Sequence, residues 1–172
     1  TLPASVTSIG TGAFWDCSSL TSITLPAGLT SIGGSVFWNC SSLTSIMLPA
    51  NVTSIGEYAF RGCSSLTSIT LPAGLTSIGE DAFWCCDNLK TVINLSALDI
   101  VKGSDTHGYV AYYADKVLTP GVYLDHTELT MQEDDKIVLE AIVIPEGSVT
   151  WSSSDESVAT VDQAGHVTAV GP

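Results

Sequence analysis

The sequence predicts a mainly β protein in which a repetitive solenoid precedes a smaller β-sandwich. Three observations favour this fold class. One phrase recurs four times in the first half of the chain with a constant period. Apolar residues within the phrase alternate with Ser and Thr, as in a strand with one buried face. Short β-favouring runs separated by turn residues follow residue 120, a spacing typical of a sandwich. We therefore predict a solenoid at residues 1–94, a cap and hinge at 95–120 and a sandwich at 121–172.

The repeat is visible as columns of identical residues, in which each member lies 23 positions after the last. The columns are Leu2, Leu25, Leu48 and Leu71, each followed by Pro; Gly10, Gly33, Gly56 and Gly79, each closing a Thr-Ser-Ile-Gly phrase; Phe14, Phe37, Phe60 and Phe83; and Cys17, Cys40, Cys63 and Cys86. One coil cannot bury its own apolar face, but stacked coils can. The columns therefore predict a continuous core.

One unit illustrates the expected local structure. Ile23 and Leu25 point inward from a short strand, while Ser22 and Thr24 alternate outward. Pro26 ends the strand because it cannot donate to a continuing ladder. Later apolar residues of the unit supply the remaining inward contacts.

The unit Leu-x-x-Ile-x-Leu-Pro-x-x-Leu-x-x-Ile-Gly-x-x-Ala-Phe-x-x-Cys resembles the BspA-type (treponemal-type) leucine-rich repeat of bacterial surface proteins. The resemblance implies a right-handed solenoid with a parallel sheet on its concave face. Two positions depart from the pattern, since Val36 replaces Ala and Val92 replaces Ile.

Two outward columns are candidate binding surfaces. One follows the Phe column and consists of Trp15, Trp38, Arg61 and Trp84. Regularly spaced exposed tryptophans favour stacking on sugars or contact with a protein, and Arg61 is placed for cation–π contacts with its neighbours. Alternatively, the rings lie flat and only cover the turns.

The other column lies on the predicted concave face and consists of Ser22, Thr24, Ser45, Met47, Ser68, Thr70, Thr91 and Ile93. Concave solenoid faces are common binding surfaces, although Ser and Thr are also ordinary solvated strand residues.

The remaining chemistry is sparse. The column cysteines are expected to be small buried hydrophobes, because parallel side chains in stacked coils do not converge as a disulfide requires. No Cys-x-x-Cys pair, P-loop, nucleophile elbow or dinucleotide-binding pattern occurs, so we expect no metal site, cofactor or enzyme activity. The acidic run Glu133, Asp134 and Asp135 is interpreted as a solvated turn.

Residues 95–120 are expected to cap the last coil. Asn94 to Ile100 is predicted as one more strand, and Tyr109 to Val117 is β-favouring and aromatic. Its tyrosines are expected to pack over the coil. A hinge at Leu118 to Gly121 follows.

The string Val-Thr-Trp-Ser-Ser-Ser-Asp-Glu-Ser-Val-Ala-Thr-Val-Asp-x-x-Gly-x-Val-Thr-Ala-Val resembles the bacterial Ig-like domain, group 2. Strands are predicted at 122–124, 127–131, 137–145, 149–155, 158–161 and 165–170, with Trp151 in the core. The family pattern continues further, so the resemblance implies a truncated domain with an unpaired edge.

The net charge of −13 repels nucleic acid, and no apolar run is long enough to span a membrane. The chain opens inside a repeat, so we expect a piece of a longer protein. The resemblance implies an exported adhesion protein at the bacterial cell surface, which binds extracellular proteins or glycans. Alternatives are a passive stalk, or the carbohydrate-binding region of a larger secreted hydrolase. Self-association through the edge strand or end to end is a further expectation.

Overall fold

The computed structural model describes residues 2–126 and 128–170. The chain forms two compact units, of which the first ends at Thr119 and the second begins at Pro120. Each unit is described by itself.

The first unit is a mainly β solenoid that carries two columns of parallel strands. The first strand column comprises β1 (Ser22–Ile23), β3 (Ser45–Ile46), β5 (Ser68–Leu71), β7 (Thr91–Asn94) and β8 (Lys116–Leu118); the second comprises β2 (Ser31–Ile32), β4 (Ser54–Ile55) and β6 (Ser77–Ile78). Paired residues such as Ser22 and Ser45 lie one period apart, which confirms the predicted coil length. The second strand column was not anticipated as strands.

The third side of each coil is a turn, and these four segments are here named the turn column (residues 12–17, 35–40, 58–63 and 81–86). Backbone hydrogen bonds join successive turns, as from the Phe37 amide to the Ala59 carbonyl at 2.8 Å. Two positions of every turn have a left-handed backbone: Gly12, Ser35, Tyr58 and Asp81 at the first, and Asp16, Asn39, Gly62 and Cys85 at the second. The backbone conformation of the turn is therefore the same in every coil, although the residues at these two positions differ.

The predicted core columns are present. Successive Phe rings stack at 5.3, 5.3 and 5.1 Å between centroids, and Phe37, Phe60 and Phe83 are fully buried. Behind them the Cys63 thiol donates to the Phe37 carbonyl at 3.1 Å. All five cysteines are free thiols, as expected.

Glycines mark the closest approach of one coil to the next. A Cβ atom on Gly56 would lie 2.7 Å from the Gly34 amide nitrogen, and one on Gly79 would lie 2.7 Å from the Gly56 carbonyl carbon. At Gly56 and Gly79 the Thr-Ser-Ile-Gly phrase therefore ends in glycine because a side chain there has no room.

Residues after β7 pack against the last coil, but not as predicted. Val110, Ala111 and Ala114 join the buried cluster, and the Gly108 carbonyl accepts the Phe83 amide at 2.7 Å. The predicted strand from Asn94 to Ile100 was wrong. β7 ends at Asn94, whose buried side chain instead holds a bend: its amide donates to the Leu98 carbonyl at 2.8 Å and its oxygen accepts from Ser96.

The aromatic run of this segment also differs from the prediction. Tyr109 ends a short 3-10 turn (His107–Tyr109), and residues 110–113 continue as turns. The strand begins only at Lys116, where β8 pairs in parallel with β7. Left-handed backbone at His107, Gly108 and Tyr109 is incompatible with a strand there.

The second unit has two antiparallel sheets. One pairs β9 (Gly121–Leu124) with β11 (Ala141–Ile144), and the other has the order β10 (Lys136–Val138), β13 (His166–Ala169), β12 (Ala159–Val161). The single strand predicted at 137–145 was wrong, since it divides into β10 and β11 in different sheets. The predicted strand at 127–131 includes residue 127, outside the described residues, and 128–131 form no strand.

Residues 149–155 also form no strand, contrary to the prediction. Trp151 is half-buried, and its ring lies against the left-handed turn glycine Gly165. Gln163 holds this segment by donating from its amide to the Trp151 carbonyl at 2.8 Å.

Candidate binding surface

The predicted tryptophan column lies on the outer side of the turn column. Trp15 is 50 % exposed, while Trp38 and Trp84 are half-buried. Trp15 and Trp38 stack with centroids 4.7 Å apart and planes 6° apart. Each of these two rings therefore covers one face of the other.

Arg61 is integrated into this column. Its guanidinium carbon lies 5.0 Å from the Trp38 centroid and 5.6 Å from that of Tyr58. Its Nη1 pairs with Asp81 Oδ2 at 3.2 Å. The expected cation–π contact with Trp38 is confirmed, but the second ring is Tyr58, a residue that the sequence analysis did not single out.

Trp84 belongs to a cluster that the sequence analysis also missed, named here the cap aromatic cluster (Trp84, Tyr109, Tyr112 and Tyr113). Trp84 and Tyr109 lie 4.6 Å apart at 72°, and Tyr112 lies 5.3 Å from Tyr109 and 4.9 Å from Tyr113. Tyr112 is 43 % exposed. The tyrosines pack over the last coil as expected, and they also extend the aromatic surface beyond the repeats.

Carboxylates border the cap aromatic cluster. Burial raises the pKa of the Tyr109 hydroxyl, and the nearby carboxylates of Asp105, Asp81 and Glu80 raise it further. The pKa of Tyr113 is raised by burial and by Asp87, to which its hydroxyl is hydrogen-bonded. Lys90 is one of the cations at this end, and its ammonium donates to the Tyr113 carbonyl at 3.4 Å.

The second candidate surface is the outward face of the first strand column. Ser22, Thr24, Ser45, Ser68 and Thr70 are exposed, and Thr91 and Ile93 are half-buried. Met47 is 84 % exposed, and no other large apolar side chain in the described residues has a larger exposed fraction. A shallow depression of about 340 Å³ lies beside Met47, Thr24 and Pro49.

No group of three or more His, Cys, Asp or Glu residues within residues 2–126 and 128–170 is arranged to hold a metal ion. His126 and His166 contact Asp125 and Asp162, at 3.0 and 2.7 Å, on the second unit. Burial raises the pKa of the Cys40 thiol to about 11 and that of Cys86 to about 12, so both thiols are protonated at neutral pH.

Comparison with known families agrees with the coil geometry. Residues 1–104 match the model of the BspA type leucine rich repeat region, in six copies. This chain belongs to the BspA-type leucine-rich repeat family. In this BspA-type chain, residues 119–172 match the bacterial Ig-like domain (group 2).

Two solved structures resemble the BspA-type chain. A leucine-rich repeat protein from Bacteroides ovatus ATCC 8483 is 35 % identical with a TM-score of 0.52, and the match covers 63 % of this chain but 28 % of that one. A leucine-rich repeat protein from T. pallidum is 26 % identical with a TM-score of 0.49, covering 69 % of this chain and 71 % of that one. The comparison with curated proteins gives no match.

BspA-type repeats and group 2 Ig-like domains are typical of surface or extracellular proteins, where they bind partners or act as scaffolds rather than as enzymes. Leucine-rich repeats mediate protein interactions. Within the described part of the chain, none of the helices has the length and apolarity that a bilayer crossing requires.

Proposed function

We propose that this chain is part of an exported bacterial cell-surface adhesion protein whose solenoid binds host or microbial proteins or glycoproteins through the aromatic side of the turn column. The Ig-like unit serves as a spacer. The observation that carries the proposal is the set of aromatic rings on this side, which includes the stacked pair Trp15 and Trp38 and the 43 % exposed ring of Tyr112.

Ring geometry favours a protein partner over a sugar. Sugar stacking needs a free ring face, but Trp15 and Trp38 cover one face of each other, and the Trp38 ring also contacts Tyr58 and Arg61. Partly exposed, rigid aromatic rings are the residues that protein interfaces prefer as anchors. A polar surface with a few such anchors supports a recognition role.

Met47 supports a second candidate, namely binding on the outward face of the first strand column. Its exposed thioether stands where neighbouring coils carry Thr24 and Thr70. Flexible methionine side chains adapt to varied partner surfaces. If neither surface binds a partner, the chain is a passive stalk.

The test is binding to immobilised extracellular-matrix proteins and to a glycan panel. The variant Trp15→Ala with Tyr112→Ala removes the two exposed rings and leaves the inner contacts of Trp38 in place. Met47→Thr is the matched control, because it introduces the residue found in neighbouring coils.

Saturable protein binding that falls at least about tenfold in the double variant, but not in Met47→Thr, would support the proposal. Loss of binding in the Met47→Thr variant alone would place the binding site on the first strand column. Binding to glycans alone, or to nothing, would contradict the proposed protein recognition.

A further inference from the structure

We propose that the cap aromatic cluster is a site for a cationic segment of a protein partner, one that presents an arginine or lysine side chain to the exposed ring of Tyr112. The inference rests on the proposed function. It names the chemistry of the partner that would bind the aromatic side of the turn column.

The rings of this cluster meet edge to face, and one of them, Tyr112, is 43 % exposed. Trp84 and Tyr109 meet edge to face at 72°, Tyr109 and Tyr112 at 67°, and Tyr112 and Tyr113 at 82°. In such a contact one ring has a face covered by its partner, while the other ring contributes only an edge. The parallel Trp15–Trp38 pair, by contrast, covers one face of each ring. A cation binds over a ring face, where the π electrons concentrate negative charge.

Charge at the cluster favours a cation over a neutral or anionic group. The carboxylates of Asp105 and Glu80 lie near enough to the Tyr109 hydroxyl to influence its ionisation, and Asp87 contacts Tyr113, whereas Asp81 is already paired with Arg61. Lys90, whose ammonium donates to the Tyr113 carbonyl, offsets one of these negative charges. The chain as a whole carries a net charge of −13, which attracts basic partners at longer range.

The same chain already holds a guanidinium in this manner one coil earlier. Arg61 lies over Trp38 and Tyr58 while it pairs with Asp81. In the next coil Trp84 occupies the position of the repeat that Arg61 occupies here, and the cap rings Tyr109 and Tyr112 lie beside it at 4.6 and 6.4 Å. Arg61 shows that the rings of this solenoid accept a guanidinium that is also paired with a carboxylate.

The experiment titrates the full chain with a short Gly/Ser peptide that carries three arginines. The matched control peptide carries citrulline, which preserves the shape of arginine without its charge. Binding is followed by the tryptophan indole N–H and tyrosine ring signals in NMR spectra at low salt. We expect the arginine peptide to shift the Trp84 and Tyr112 signals and to bind at least about tenfold more tightly than the citrulline peptide.

Three variants separate the contributions. Tyr112→Leu removes a ring but no charge and should weaken peptide binding roughly two- to fivefold, whereas Tyr112→Phe should bind like the unmodified chain. Glu80→Gln with Asp105→Asn, both at exposed positions, should weaken binding without affecting the fold.

Equal binding of both peptides would overturn the inference, because the cation would then be irrelevant. Unchanged binding in Tyr112→Leu would also overturn it, since attraction to the net negative charge would explain the result. If matrix-protein binding depends on Trp15 and Tyr112 while the arginine peptide fails to bind, the proposed function stands and the cationic partner is excluded.

Discussion

The Arg61 guanidinium lies 5.0 Å from the centroid of the Trp38 ring, and Asp81 holds it there through an ion pair of 3.2 Å. Three successive coils contribute one residue each to this contact. A side chain whose charge suggests a surface residue is therefore part of the packing between coils.

Arg61→Gln should lower the free energy of unfolding by about 1 kcal/mol, because both the cation–π contact and the ion pair are lost. Asp81→Asn removes the ion pair alone and should cost less than about 0.5 kcal/mol, since asparagine tolerates the left-handed backbone at this position. Urea unfolding, monitored by tryptophan fluorescence, measures the free energy of unfolding of both variants. Equal losses in the two variants would show that the ring contributes nothing.

Gly56→Ala should destabilise the solenoid by about 2–3 kcal/mol, because the new methyl group meets the backbone of the preceding coil at Gly34. Gly10→Ala is the matched control. Gly10 ends the same Thr-Ser-Ile-Gly phrase, but nothing lies within 4 Å of a Cβ atom built there. Thermal unfolding of the two variants should therefore differ widely, and similar melting temperatures would contradict the close approach.

Cys85→Gly should stabilise the chain by about 0.5–1 kcal/mol, because Cys85 has a φ of 60°, a conformation that glycine adopts without steric cost. Gly62 occupies the equivalent position one coil earlier. Ala13→Gly, at an exposed turn residue without positive φ, should instead destabilise by a similar amount. Chemical denaturation midpoints that move in the same direction for both would argue against the left-handed assignment.

Thiol labelling at pH 8 should separate the cysteines into two classes. Cys17 and Cys85 are half-buried and should react with an aromatic disulfide reagent in the folded chain. Cys40, Cys63 and Cys86 are buried and should react only on unfolding. Rapid reaction of all five thiols in the native state would contradict the buried column.

Alkaline pH should destabilise the solenoid through the same buried thiols. Burial raises the pKa of Cys40 from 9.0 to about 11 and that of Cys86 to about 12, so the folded chain retains protons that the unfolded chain releases. The stability is intact below pH 9 and declines as the pH rises from 9 towards 11, because only the unfolded state ionises in that range. Cys40→Ala should show a shallower decline in pH-dependent urea unfolding.

The core could be predicted from the sequence because its columns are periodic. Phe37, Phe60 and Phe83 recur at a fixed spacing, and stacking is the arrangement that buries all of them together. The second strand column was missed because strands as short as Ser31–Ile32 show no alternating pattern. The predicted strand at 137–145 failed for a related reason, since an apolar run does not reveal where the chain passes from one sheet to another.

The candidate surface was predicted only in outline. Trp15, Trp38 and Trp84 could be placed on one side by spacing alone, but their environments differ. Tyr58 reaches the Arg61 guanidinium from a left-handed backbone position, which no sequence pattern indicated. Tyr109 and Tyr112 reach Trp84 because the cap folds back as turns, whereas their β propensity favoured a strand.

The amino-acid order was therefore sufficient for the coil length, the identity of the buried columns and the family, since these follow from a repeat that only stacking can satisfy. The pairing of Arg61 with Asp81, the bend held by Asn94 and the cap aromatic cluster depend on contacts whose sequence separations differ from one to the next and do not follow the period of the repeat. Such contacts arise from the packing of particular side chains once the coils are in place, and no local pattern encodes them.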